Sequence, residues 1–248
     1  EDNTMIDILI SAFLLSIVLV GIHAYFGTEI IRRGIIFTDL AIGQMAAMGA
    51  AISILLFDSN FMYVFSLSFA ILGGSIISFT SKRSLYPEAI IGLLYAFSLS
   101  AVFLILSKSS HGTEEFNNLL ATDILFTPLS KILETALLYS AIGLLLFFIY
   151  RRGATKCNDL LFFTLFAITV TSSVKLAGVL VVFALLLSPV MIALQLKQKH
   201  ILITSWIAGI IINLISICIS YTLDLPTGYT LVAVNTLAAL IISVLKTT

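Results

Sequence analysis

The sequence predicts an all-α, polytopic transmembrane helical bundle. Three observations lead there. Of 248 residues, 60% are hydrophobic and only 10% charged, whereas a soluble domain carries about 25% charged residues. The polarity is clustered: long apolar runs alternate with short polar breaks, and each run is long enough to cross a hydrocarbon core of roughly 30 Å. The formal net charge is zero, so the chain has no electrostatic footprint for nucleic acid, and its obligate partner is the lipid bilayer.

The runs give about nine spans, in order Met5–Phe26, Gly34–Phe57, Phe61–Thr80, Pro87–Ser107, Pro128–Tyr150, Asp159–Val174, Leu176–Leu196, Ile201–Tyr221 and Tyr229–Leu245. Apolar runs recur to the end, so the first is read as a span rather than a cleavable signal. The stretch Asp159–Leu196 is too long for one upright span of about 20 residues. It is read either as two short spans split at Lys175 or as a segment broken around Gly178. No domain boundary appears, so residues 1–248 are expected to form one integral membrane domain.

Charge sets an orientation. Ten of the thirteen basic residues fall at alternate breaks: Arg32, Arg33, Lys82, Arg83, Arg151, Arg152, Lys156, Lys197, Lys199 and Lys246. Cytoplasmic loops are enriched in Lys and Arg, which predicts the N-terminus outside and the C-terminus inside. The longest break, Ser109–Thr127, would then lie outside. Within it Phe116, Leu119, Leu120, Ile124 and Leu125 can share one face of a short amphipathic helix near 114–126. Cys157 and Cys218 fall at opposite ends of this topology and suggest neither a disulfide nor a metal site.

Several chemistries are absent from the sequence. It has no Gly-x-x-x-x-Gly-Lys-Ser/Thr loop for ATP, no His-Glu-x-x-His and no Gly-x-Ser-x-Gly. No span carries the repeated arginines of a voltage sensor, and mid-membrane carboxylates that would couple a secondary transporter are nearly missing. The chain is therefore not expected to be an enzyme.

What remains is a small set of polar residues at or inside spans, where they are costly. Asp39 has two readings, a helix N-terminal carboxylate favoured by the dipole or a pathway group. Gln44 reads as interhelical glue beside Gly43, Ala46, Ala47 and Gly49, or as an ion contact. His23 reads as a satisfied core histidine or a ligand brought near Asp39 by antiparallel packing of the first two spans. Pro189 frees the Leu185 carbonyl and can bend a path-lining helix. Glu88 follows Pro87 at a helix start, where it can cap or pair with Arg83. His111, Glu114, Glu115 and Asp123 are either a solvated loop or an outer face that meets an incoming ion or protein.

Five motifs, in order, give a resemblance. They are Gly21–Gly49; Pro87-Glu88-Ala89-Ile90-Ile91-Gly92-Leu93-Leu94-Tyr95-Ala96; Leu119-Leu120-Ala121-Thr122-Asp123-Ile124-Leu125; Ala177-Gly178-Val179-Leu180-Val181-Val182-Phe183-Ala184-Leu185-Leu186-Leu187-Ser188-Pro189; and Ser220-Tyr221-x-Leu223-Asp224-Leu225-Pro226-Thr227-Gly228. Together they resemble the membrane permease subunit of bacterial ABC importers for zinc, manganese or iron. The resemblance implies a bacterial inner-membrane permease that binds no cofactor of its own and passes a divalent metal as substrate. It also implies a second permease copy, a cytoplasmic ATP-binding subunit and an extracytoplasmic metal-binding protein. ATPase contact would fall on Arg83, Glu88, Arg151 and Arg152, and any metal contact on Asp39.

Two positions depart from the family. Its Asp-x-x-x-His pair early in the second span aligns with Leu40 and Gln44, and the carboxylate, Asp39, stands one residue earlier, about 100° around a helix. The family's cytoplasmic coupling stretch is reduced to Arg151-Arg152-Gly153-Ala154-Thr155-Lys156-Cys157-Asn158. That shortening sets an alternative beside transport, a family-derived membrane subunit that scaffolds another complex.

Overall fold

The computed structural model describes residues 2–81, 84–109, 114, 117, 119, 124–151 and 159–247. Nine α-helices lie among them: α1 (Asp2–Arg33), α2 (Thr38–Phe57), α3 (Met62–Ser81), α4 (Pro87–Leu106), α5 (Leu129–Arg151), α6 (Asp159–Ala177), α7 (Val179–Gln195), α8 (Ile201–Thr222) and α9 (Thr227–Thr247). A 3-10 turn (Ile124–Phe126) precedes α5. Eight helices are long and apolar enough to cross a membrane; the exception is α7, with 17 residues. At 1.5 Å per residue α7 is about 25 Å long, short of a core of roughly 30 Å. Of the expected amphipathic helix, residues 114, 117 and 119 are helical, and much of the remainder lies outside the described residues.

Two boundaries differ from the sequence reading. The polar stretch after Phe26 is helical, because its polar groups are satisfied inside α1. Thr28 Oγ1 donates to the Ala24 carbonyl at 2.8 Å, and Arg32 pairs with Glu29 at 2.9 Å. The helix stops where Gly34 takes φ +68°, a conformation that only glycine adopts without strain. Consequently α2 begins at Thr38, four residues later than expected. Of the two readings of Asp159–Leu196, the structure takes the second: the break after α6 falls at Gly178, with φ +85°. Lys175 stays in the last turn of α6, where a cation suits the dipole. Finally, α7 runs through Pro189 without interruption.

The chain forms two compact units. The first comprises Glu1–Arg32, Ala121–Ser140 and Leu176–Thr248. In it α7 packs on α8 and α9, and α8 on α9. Small residues allow these contacts, since apolar lipid gives helices no hydrophobic reason to associate. A Cβ on Gly27 would overlap the Leu186 carbonyl, and one on Gly209 would stand 2.8 Å from Val20 and 3.1 Å from Pro189. Trp206 Nε1 donates to the Gly21 carbonyl at 3.0 Å. Between α8 and α9, buried Asn235 Nδ2 donates to Asn213 Oδ1 at 2.9 Å and to the Leu231 carbonyl at 2.9 Å.

The second unit comprises Arg33–Leu120 and Ala141–Lys175. There α2 packs on α3 and α4, and α3 on α4. A Cβ on Gly49 would overlap the Phe65 carbonyl of α3, and one on Gly73 would stand 2.9 Å from Met45. Many span hydroxyls in both units fold back on their own helices, as with Thr169 to Leu165 at 2.9 Å and Ser216 to Ile212 at 2.7 Å. That satisfies those hydroxyls without water; the buried Ser53 Oγ of α2 has no hydrogen-bond partner among the described residues.

Candidate functional site

Helix α2 carries the two polar residues that most need explaining. Its run of small residues, Gly43, Ala46, Ala47, Gly49, Ala50 and Ala51, lets neighbouring backbones close in, and all six are buried. The helix is thus enclosed over most of its length, with its last turn, Leu55, Leu56 and Phe57, exposed, and side chains on the enclosed part are desolvated. Asp39 is 1% exposed and Gln44 1% exposed.

Asp39 is the second residue of α2. The turn before it is closed by Thr38, whose N–H and Oγ1 both donate to the Ile35 carbonyl, at 3.2 and 2.7 Å. The N-cap residue is Phe37, and it offers no side-chain hydrogen bond. A carboxylate in the first turn is favoured by the helix dipole. Yet neither oxygen of Asp39 has a hydrogen-bond partner among the described residues, so the carboxylate does not cap the helix. A buried ionisable group without a partner is costly, and the dipole offsets only part of that cost. Asp39 therefore presents two free oxygen donors in a dry setting. Gln44 adds an amide on the same helix, five residues on and about 140° around it. The two cannot grip one ion from a single narrow face.

His23 lies in the first unit, on α1, and is fully buried. Its Nδ1 donates to the Leu19 carbonyl at 2.7 Å, which places the proton there and leaves Nε2 with a lone pair. Nε2 is buried without a hydrogen-bond partner among the described residues, and the ring meets Tyr139 edge-on at 6.2 Å. No group of three or more His, Cys, Asp or Glu able to hold a metal occurs among the described residues.

Pro189 is buried, with its ring in the notch at Gly209. Glu88 sits in the first turn of α4, half-buried, and its Oε1 accepts from the Ile36 N–H at 2.5 Å. Arg83, Arg152, His111, Glu115 and Asp123 lie outside the described residues. Arg151 ends α5, and Glu114 is exposed.

Sequence reasoning missed three connections. Arg33 pairs with Asp159 Oδ1 at 2.9 Å and lies 4.1 Å over the Phe162 ring, joining the end of α1 to α6. Glu88 reaches the backbone of the α1–α2 link. Asn213 and Asn235 meet between α8 and α9. Two asparagines in otherwise apolar spans were the available signal for the last of these.

The profile of the ABC 3 transport family matches residues 5–246. The chain belongs to that family. This ABC 3 family member is 26% identical over 261 residues to a Haemophilus influenzae protein assigned as an iron transport system membrane protein, covering 95% of this chain and 89% of that one. Its fold is similar to that of PsaBC from Streptococcus pneumoniae, solved in complex with a Fab. The TM-score is 0.75 at 20% identity, over 98% of this chain and 95% of that one. A transporter assigned to the metal-chelate ABC type, solved inward-facing, gives 0.70 at 14% identity, over 93% and 84% of the two chains. The ABC 3 match and the eight apolar spans make the chain a multi-pass membrane transport protein.

Proposed function

We propose that this chain is the permease subunit of a bacterial ABC importer for a divalent metal ion. The observation that carries the reading is the family match over residues 5–246, joined to a buried carboxylate, Asp39, with no hydrogen-bond partner among the described residues. A polar group kept in the membrane at such cost is a pathway group by default. On entry from outside, Gln44 would meet the ion first, and Asp39, nearer the cytoplasmic start of α2 in this orientation, would follow with its carboxylate oxygens. Oxygen donors suit manganese better than they suit zinc.

Two copies would line that path, with the N-termini outside and the C-termini in the cytoplasm. A separate cytoplasmic subunit would hydrolyse ATP, and an extracytoplasmic protein would deliver the ion, facing Glu114 and its neighbours. Transport is preferred to scaffolding because the family match runs nearly end to end.

The test is ATP-dependent uptake of radiolabelled manganese, iron and zinc into vesicles containing the purified complex. Replacing Asp39 by Asn removes one charge-assisted contact, worth about 1.5–3 kcal/mol. Uptake at limiting metal should therefore fall about tenfold to a hundredfold. A complex that purifies without an ATPase and takes up none of the three metals overturns the reading.

A further inference from the structure

We propose that Glu88 is a positioning residue: its carboxylate fixes the four-residue link 34–37 and thereby sets where Asp39 stands. This rests on the reading of Asp39 as a pathway group. The link begins at Gly34 in the left-handed region and ends at Thr38, so two helix ends meet across a tight turn. Each side of the turn is anchored separately. Before it, Arg33 is held by Asp159 at 2.9 Å and by the Phe162 ring at 4.1 Å. After it, Thr38 closes on the Ile35 carbonyl. Between them the Ile36 N–H has no helix to bond to, and Glu88 Oε1 accepts it at 2.5 Å from 52 residues away.

The post that carries Glu88 is itself rigid. Pro87 occupies the start of α4, where its fixed backbone angle suits the first helical turn. Helix α4 packs directly on α2. A carboxylate is a stronger acceptor than a neutral oxygen, and this one is aimed at the backbone three residues before Asp39. If the bond is lost, the first turn of α2 is free to fray, and the Asp39 carboxylate loses its fixed place. The competing role for Glu88, docking of the ATPase, would need this carboxylate to face a partner protein. One oxygen is instead engaged within the chain, and Oε2 is buried.

The experiment uses the reconstituted complex with wild-type, Glu88→Ala, Glu88→Gln and Asp39→Asn chains. Glu88→Ala should raise the KM for metal about tenfold while kcat at saturating metal stays within about twofold. Amide hydrogen exchange of a peptide covering residues 34–39 should quicken at the same time. Glu88→Gln keeps an acceptor oxygen, so it should restore slow exchange and bring KM back to within about threefold of wild type. Unchanged exchange in Glu88→Ala overturns the proposal. So does a loss of ATPase-subunit affinity with KM unchanged. If Asp39→Asn leaves KM unaltered while Glu88→Ala still quickens exchange, the pathway role of Asp39 fails and the hold of Glu88 on the turn stands.

Discussion

Replacing Gly49 with alanine is expected to destabilise the protein, although alanine is the better helix former. The reason is local. A Cβ built at Gly49 would overlap the Phe65 carbonyl oxygen, stand 2.6 Å from its carbon and 2.9 Å from Ser66 N. Carbon atoms rest at about 3.5 Å or more, so α2 and α3 must part by about 0.9 Å. The obstacle is backbone and cannot rotate away. Overpacking of this kind costs about 1–3 kcal/mol. For a chain of this size that lowers the melting temperature by about 2–12 °C. Gly92 on α4 and Gly143 on α5 provide the control, because a Cβ at either meets nothing within 4 Å. Alanine there should stabilise by up to about 1 kcal/mol through helix propensity. The assay is thermal unfolding of the three purified variants in one detergent. A Gly49→Ala protein that melts no lower than Gly92→Ala refutes the reasoning.

Other outcomes follow from the same geometry. Asn235→Leu alone should cost about 1–3 kcal/mol by leaving the buried Asn213 amide unpaired, Asn213→Leu should cost less because Asn235 Nδ2 keeps the Leu231 carbonyl, and the double variant should melt above Asn235→Leu. Removing Arg33 or Asp159 should matter less. The pair is part-exposed, at 28% and 22%, and a double-mutant cycle read by thermal unfolding should give a coupling of no more than about 1 kcal/mol.

The spans were legible because lipid imposes a rule on residue type: an apolar run reads as a helix whatever its neighbours are. The breaks were less legible. Thr28, Glu29 and Arg32 look like loop residues, but each finds its partner within a turn of its own helix, so α1 continues to Arg33. Lys175 looks like a span boundary, but a helix C-terminus welcomes a cation, and Gly178 makes the break. Asp39 and Gln44 could be singled out as polar letters in an apolar helix. Glu88 could not be assigned its partner, because the Ile36 amide is backbone and carries no signature in the sequence. The Asn213–Asn235 pair, 22 residues apart, needed the packing of α8 on α9 to be known first.

The notch at Gly209 has a bearing on how the first unit can move. Pro189 of α7 fits opposite the one position on that stretch of α8 that lacks a side chain. Advancing α8 by one turn, about 5.4 Å, would bring Ser205 or Asn213 against the proline ring, and both are already buried. A ratchet of one helix past the other is therefore closed to this pair. Any opening and closing of the permease within this unit has to carry α7 and α8 as a single piece or swing them about that contact. Filling the notch with a larger residue should jam the two helices apart.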